Sequence, residues 1–125
     1  MPQSAPEPPL LSVVVPTRNE AGNVETLVQR LGAVLTGVPT EVIFVDDSSD
    51  HTPAILERIA ANPPPGVSIR VLHRAPAQQT GLGSAATEGF KMASGHLVAV
   101  MDGDLQHPPE LLTRMIETLE DNDFD

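Results

Sequence analysis

LSVVVPTRNEAGNVETLVQRLGAVL, residues 11–35, changes its hydrophobic period within one turn, and that change decides the fold. The β-branched run 11–15 is closed by Pro16 and reads as a short strand buried on both faces. A polar turn follows over 17–23. Val24, Leu27, Val28, Leu31 and Leu35 then recur at spacings of three and four, which is the stripe of a helix with one inward face. Asn23 stands where an N-cap belongs, and Gly37 stands near the stop.

The same unit repeats outward from this stretch. A second strand, 41–45, ends in Asp46 and Asp47. Thr52 is placed to cap a second helix, with Pro53 at its first position, Ile55, Leu56 and Ile59 inward, and a breaker over 62–66. The third strand is 67–72; the segment 81–83 opens a third helix running to about Ser94, with Gly95 as its stop. A fourth strand, 97–101, leads into Asp102, Gly103 and Asp104. Pro108 and Pro109 open a last helix whose Leu111, Leu112, Met115, Ile116 and Leu119 share one face. Strands alternating with helices argue for the α/β class: a parallel sheet, right-handed crossovers and helices on both faces. Ligands of such sheets sit outside the carboxyl ends of the strands, and here the polar clusters follow strands one, two and four. The sequence stops at Asp125 where the alternation asks for another strand, so a fragment or truncated protein is expected.

A length of 125 residues suits one domain with one core. Hydrophobic residues make up 40%, yet Phe44, Phe90 and Phe124 are the only aromatics, so Val, Leu, Ile, Ala and Met must build the core and no base-stacking nucleic-acid surface is expected. Seven Lys and Arg against seventeen Asp and Glu leave a net charge of −10, which repels nucleic acids and anionic headgroups. Partners should be cations, or anions carried in by cations. The lack of cysteine removes disulfides, thiolate metal sites and Cys nucleophiles. No apolar run approaches the roughly 20 residues of a membrane span, and the start lacks a basic end, so the chain reads as soluble and unsecreted. Residues 1–10 hold four of the thirteen prolines and read as a flexible tail.

Asp46, Asp47, Asp102 and Asp104 meet at one sheet edge if strands one, two and four are neighbours. Two carboxylates about 4 Å apart repel by roughly 4 kcal/mol at an effective dielectric near 20, so positive charge is required there. Few basic residues are near in sequence, and a divalent cation with oxygen ligands, Mg²⁺ or Mn²⁺, is the economical source; two solvated acidic loops are the opposing reading. A calcium loop is excluded, because Gln106 and His107 stand where an EF-hand needs Asp or Asn and then Gly. His107 suits a helix start or an outer role better than ligation, and His51, His73 and His96 stand in loops or at strand ends with no case for chemistry. Gly81, Leu82, Gly83 and Ser84 can present N–H groups to a phosphate or simply form a tight turn. No Ser, His and Asp arrangement marks a nucleophilic hydrolase.

VVVPTRNE (13–20), VDDSSD (45–50), GLGSAATEGF (81–90) and MDGDLQHPPE (101–110), in this order, resemble family-2 glycosyltransferases of the GT-A fold. Within them the run from Asp104 to Pro109 is most similar to the dolichol-phosphate and polyprenol-phosphate mannosyltransferases. The resemblance implies a three-layer, Rossmann-like, mostly parallel nucleotide-binding sheet, truncated here after the fourth strand and helix, with residues 11–125 as the nucleotide-sugar-binding part. It implies inverting, Mg²⁺- or Mn²⁺-assisted transfer of a sugar, with mannose from GDP-mannose favoured, to a polyprenol or dolichol phosphate. Pro16, Arg18 and Glu20 would line the nucleotide pocket, with Asp46 and Asp47 near the base or ribose and Gly81 at the phosphate turn. Asp102, Asp104 and Gln106 would hold the metal, and Asp102 would also face the nucleotide; Asp102 and Asp104 are the catalytic candidates. The protein would work at the cytoplasmic face of a membrane, attached only through its lipid substrate or a part beyond Asp125.

Departures from the family pattern are Gln78, Gln79 and Thr80 where many relatives carry a basic residue, and Gly103 where alanine is common. Alternatives within the class are a UDP-glucose or other nucleotide-sugar donor, or a truncated module that binds nucleotide without turnover. A phosphoacceptor receiver domain is disfavoured, because its acidic pair would follow the first strand and not the second.

Overall fold

The computed structural model describes residues 9–79 and 81–101, with Leu82 described in its backbone alone. The tail up to residue 8, the metal-ligand candidates Asp102, Asp104 and Gln106, and the helix expected after Pro108 lie outside the described residues. The elements are β1 (Leu11–Thr17), α1 (Val24–Val34), β2 (Thr40–Asp46), α2 (Thr52–Ala61), β3 (Val67–His73), a 3₁₀ turn (Pro76–Gln78), α3 (Leu82–Met92) and β4 (Leu97–Val100). Leu10 donates its N–H to the Pro39 carbonyl and accepts from Leu97.

All strand pairs are parallel and the order is β3-β2-β1-β4, so strands one, two and four are neighbours. Stepping from β1 to β2 to β3 and then back past β1 to β4 reverses the direction of travel. Right-handed crossovers therefore put α1 and α2 on one face and α3 on the other. The core divides accordingly. Val13, Val15, Val42 and Phe44 pack with Val24, Leu27, Leu31 and Leu56, whereas Val14, Ile43 and Val45 pack with Ala85. Both central strands are buried throughout, because helices cover both of their faces.

β1 runs through Pro16 to Thr17, two residues past the expected end. Along β1, the Val14 carbonyl accepts from Met101 on the β4 side and the Thr17 carbonyl accepts from Asp47 on the β2 side. Pro16 shares the orientation of Val14, and its missing N–H falls beyond the last β4 pairing, Val14 with Val100. The β1–β2 ladder loses nothing.

Two helix starts differ from expectation. Asn23 holds the cap position of α1 but makes no side-chain cap bond; its backbone lies in the helical region, and its amide donates to Glu20 at 3.0 Å. Thr52 falls one residue inside α2, and the Asp50 carboxylate accepts both its N–H and its hydroxyl. The helix α3 ends at Met92, and the chain after it is latched by buried Glu41, which accepts from the Ser12 hydroxyl, the Ser94 N–H and hydroxyl, and Arg70. Burial pushes the Glu41 carboxyl up, but these hydrogen bonds outweigh it and hold it below the ordinary glutamate value.

Helix α3 lies close on β1 because Gly89 has no side chain: a Cβ there would stand 2.2 Å from Cγ1 of Val14. Gly89→Ala raises intrinsic helix propensity by about 1 kcal/mol yet must push α3 off the sheet. Urea unfolding should show a net loss of about 1–3 kcal/mol, and a more stable variant would show that α3 is not packed this closely.

Candidate functional site

β2 delivers its last residue, Asp46, to the carboxyl edge with its side chain only 1% exposed. One carboxylate oxygen accepts from the Thr17 hydroxyl at 2.8 Å and the Ser48 hydroxyl at 2.6 Å. The other faces Nδ1 of His73 at 3.3 Å, and Nε2 of the same ring meets Glu57 at 2.6 Å. Burial pushes the His73 pKa down, but the hydrogen bonds to Glu57 and Asp46, with their charges, outweigh it and hold the ring above the ordinary histidine value.

Asp47 is clasped by Arg74. Nε donates to one oxygen at 2.7 Å and Nη2 to the other, the two-pronged geometry a guanidinium offers a carboxylate. Nη1 donates to Ser84 at 2.6 Å, in the first turns of α3. The Asp47 bonds strengthen the guanidinium's hold on its proton, against the opposing effect of burial. Backbone bonds fix the pair as well: Arg74 N–H donates to the Asp46 carbonyl, and Asp47 N–H donates to the Thr17 carbonyl. Arg74 is 3% exposed and Asp47 12%, so Asp47 is the one that still meets solvent. Among the described residues, no buried side-chain polar atom lacks a partner.

These contacts revise the expected charge balance. Arg74 supplies the positive charge beside Asp47, and the His73 ring, its hold on a proton strengthened, faces Asp46; both lie 27 residues away along the chain, where sequence reading passed over them. Their one sequence signal is two adjacent basic side chains closing a strand in a strongly acidic chain. His73, expected to have no chemical case, joins β3 to Asp46 and to α2.

Among the described residues, no group of three or more His, Cys, Asp and Glu could hold a metal ion. The oxygens of Asp46 are taken by Thr17, Ser48 and His73, and each oxygen of Asp47 accepts from Arg74; the expected ligands Asp102, Asp104 and Gln106 lie outside the described residues. The described chain reaches that segment from the same edge, since Met101 is buried with its N–H on the Val14 carbonyl. Hard carboxylate and amide oxygens are the donor set that Mg²⁺ and Mn²⁺ take.

The remaining candidates surround this edge. Pro16 is buried in β1, Arg18 is exposed, and Glu20 is half-buried against Asn23. Gly81 caps α3 at φ +120°, a conformation that L side chains rarely adopt, and its carbonyl accepts from Ala85. Beside it, Leu72, Arg74, Gln78, Ser84 and Glu88 line a cleft of about 340 Å³.

Residues 12–125 match the family model of glycosyl transferase family 2. A dolichol-phosphate mannosyltransferase of Pyrococcus furiosus is 40% identical over 110 residues, covering 87% of this chain and 30% of the relative. That of Saccharomyces cerevisiae is 38% identical over 116 residues, covering 90% and 42%. An undecaprenyl-phosphate 4-deoxy-4-formamido-L-arabinose transferase of Yersinia enterocolitica is 37% identical over 113 residues, covering 89% and 34%. The chain thus spans less than half the length of these relatives. Among solved structures, a mannosyltransferase of Pyrobaculum calidifontis in complex with GDP-Man and Mn²⁺ superposes with a TM-score of 0.74 at 26% identity, covering 90% of this chain and 33% of that one.

Arg74→Met would leave Asp47 charged, largely buried and without its partner, at an expected cost of about 3–5 kcal/mol in urea unfolding. Adding Asp47→Asn should recover more than half of that loss. Two losses that simply add would show that the residues are not coupled.

Proposed function

The chain belongs to glycosyl transferase family 2, and on that premise we propose that it is the donor-binding part of an enzyme moving mannose from GDP-mannose to the phosphate of a dolichol or other polyprenol. The observation that carries this reading is the order β2-β1-β4, which brings Asp46, Asp47 and the residue preceding Asp102 to one edge of a parallel sheet. Support comes from the names of the relatives and from the GDP-Man and Mn²⁺ bound by the Pyrobaculum protein.

In this reading Asp47 meets the nucleoside. Arg74 occupies one lone-pair site on each Asp47 oxygen, so others are left to accept from N–H or hydroxyl groups of the base or ribose. Asp46, with both oxygens engaged inside, sets the position of Asp47 from below. Pro16, Arg18 and Glu20 line the pocket from the turn after β1, and the start of α3 at Gly81 offers its positive dipole end to the diphosphate. Asp102, Asp104 and Gln106 would hold Mg²⁺ or Mn²⁺, whose positive charge would offset the negative charge developing on the leaving nucleoside diphosphate.

An acceptor phosphate is already anionic at neutral pH and needs no general base. The oxygen attacks the anomeric carbon opposite the departing diphosphate, and the sugar is inverted. Among the described residues no helix is long and apolar enough to cross a membrane. In this reading the lipid acceptor, or the length of the relatives that this chain does not span, supplies the membrane contact at the cytoplasmic face.

Calorimetric titration with GDP and with UDP, each with and without Mn²⁺, tests this assignment. Metal-dependent binding of GDP is expected, and Asp104→Ala should abolish the metal-dependent part while circular dichroism stays unchanged. Binding of UDP alone would move the donor to a uridine-linked sugar. A folded protein that binds neither nucleotide would overturn the donor site.

A further inference from the structure

Among the described residues, Asn19 is the one non-glycine residue with positive φ, at 56°. An L-residue enters this region at a cost, and Asn tolerates it better than most because its short side chain can bond locally. Here the bonds are not local. Asn19 N–H donates to the Ser48 hydroxyl at 2.8 Å. Its Oδ1 accepts from Ser49 N–H at 2.9 Å and Asp50 N–H at 3.2 Å, with the Ser49 hydroxyl at 3.4 Å. All of these partners lie in the loop between β2 and α2.

Each partner leads onward. The Ser48 hydroxyl accepts from Asn19 and passes its own hydrogen to Asp46 at 2.6 Å. Asp50, whose N–H Asn19 holds, places its carboxylate on Thr52 at the start of α2. One exposed side chain thus joins the turn carrying Arg18 and Glu20 to the loop carrying Asp47, the two walls assigned above to the nucleotide pocket. These donors are exposed and far from the strand core, so the bonds hold the loop in place without adding to the stability of the sheet. Their effect is to fix a separation.

We infer that Asn19 is a positioning residue: it pre-sets the distance between the β1–α1 turn and the β2–α2 loop, so that the nucleotide enters a site already spaced for it. This rests on the donor-site reading. Pre-ordering of this kind acts on affinity, because a loop that must be fixed upon binding reduces the binding free energy.

Asn19→Gly separates the two roles the residue could have, since glycine keeps the positive φ without strain and removes only the side-chain bonds. Two quantities are read: amide hydrogen exchange without ligand, and the Kd for GDP in the presence of Mn²⁺. In the variant, Ser49 and Asp50 amides should exchange at least about tenfold faster while Val13, Val42 and Phe44 amides keep wild-type protection, and Kd should rise about tenfold. Asn19→Asp, which keeps an acceptor oxygen and tolerates the same φ, should restore protection at Ser49 and Asp50. Unchanged exchange at those two amides, faster exchange spreading into the strands, no restoration by Asp, or an unchanged Kd would each overturn the inference. Wild-type protein that binds no nucleotide would overturn the donor-site reading and this inference with it, whereas equal binding by wild type and Asn19→Gly would overturn the inference alone.

Discussion

Two carboxylates close β2 side by side, and a sheet buried on both faces can hold them only with positive charge within hydrogen-bond reach. β3 meets that requirement. It pairs with β2 in a register that sets Asp46 opposite His73, so the next residue on each strand sets Asp47 beside Arg74. The same guanidinium reaches Ser84 on α3, which crosses the opposite face from α1 and α2. One cation therefore ties the edge strand, a central strand and the reversed crossover together at the end of the sheet where the polar turns collect.

This internal neutralisation divides the work of the edge. Asp47 is paired with Arg74, and both oxygens of Asp46 are engaged by Thr17, Ser48 and His73. Under the proposed function, the cation is reserved for Asp102, Asp104 and Gln106, where charge develops on a leaving diphosphate. A nucleoside half with fixed protein charges and a diphosphate half with a metal suit a donor that is itself half neutral and half anionic.

Much of the architecture was legible in the sequence because it depends on local periodicity. The β-branched runs and the stripe from Val24 to Leu35 identify strands and helices from near neighbours alone, whereas the reversal that puts β4 beside β1, and so brings Met101 to the edge of Asp46 and Asp47, stayed a condition until the structure gave the strand order. Contacts that depend on distant partners were not legible. Nothing near Arg74 in the chain points to Asp47, and nothing near Asn19 points to Ser49 and Asp50, because pairing across a parallel sheet is set by register after the crossovers form. Asn23 and Thr52 show the smaller version of this limit: the capping residue types are in place, but Glu20 and Asp50 take the bonds that generic capping would assign elsewhere.

The central claim is that nucleotide and metal meet at the carboxyl edge of β1, β2 and β4. It is tested most directly by the effect of Mn²⁺ on backbone amide resonances of the GDP-bound protein, with Mg²⁺ as the diamagnetic reference. A seven-residue strand spans roughly 20 Å, and paramagnetic broadening falls steeply over that length. Amides of Thr17, Asp47 and Met101 should broaden, while those of Leu11, Thr40, Val67 and Leu97 at the other ends of the strands keep most of their intensity. Broadening centred on that second group, or broadening spread evenly along the strands, would contradict the account.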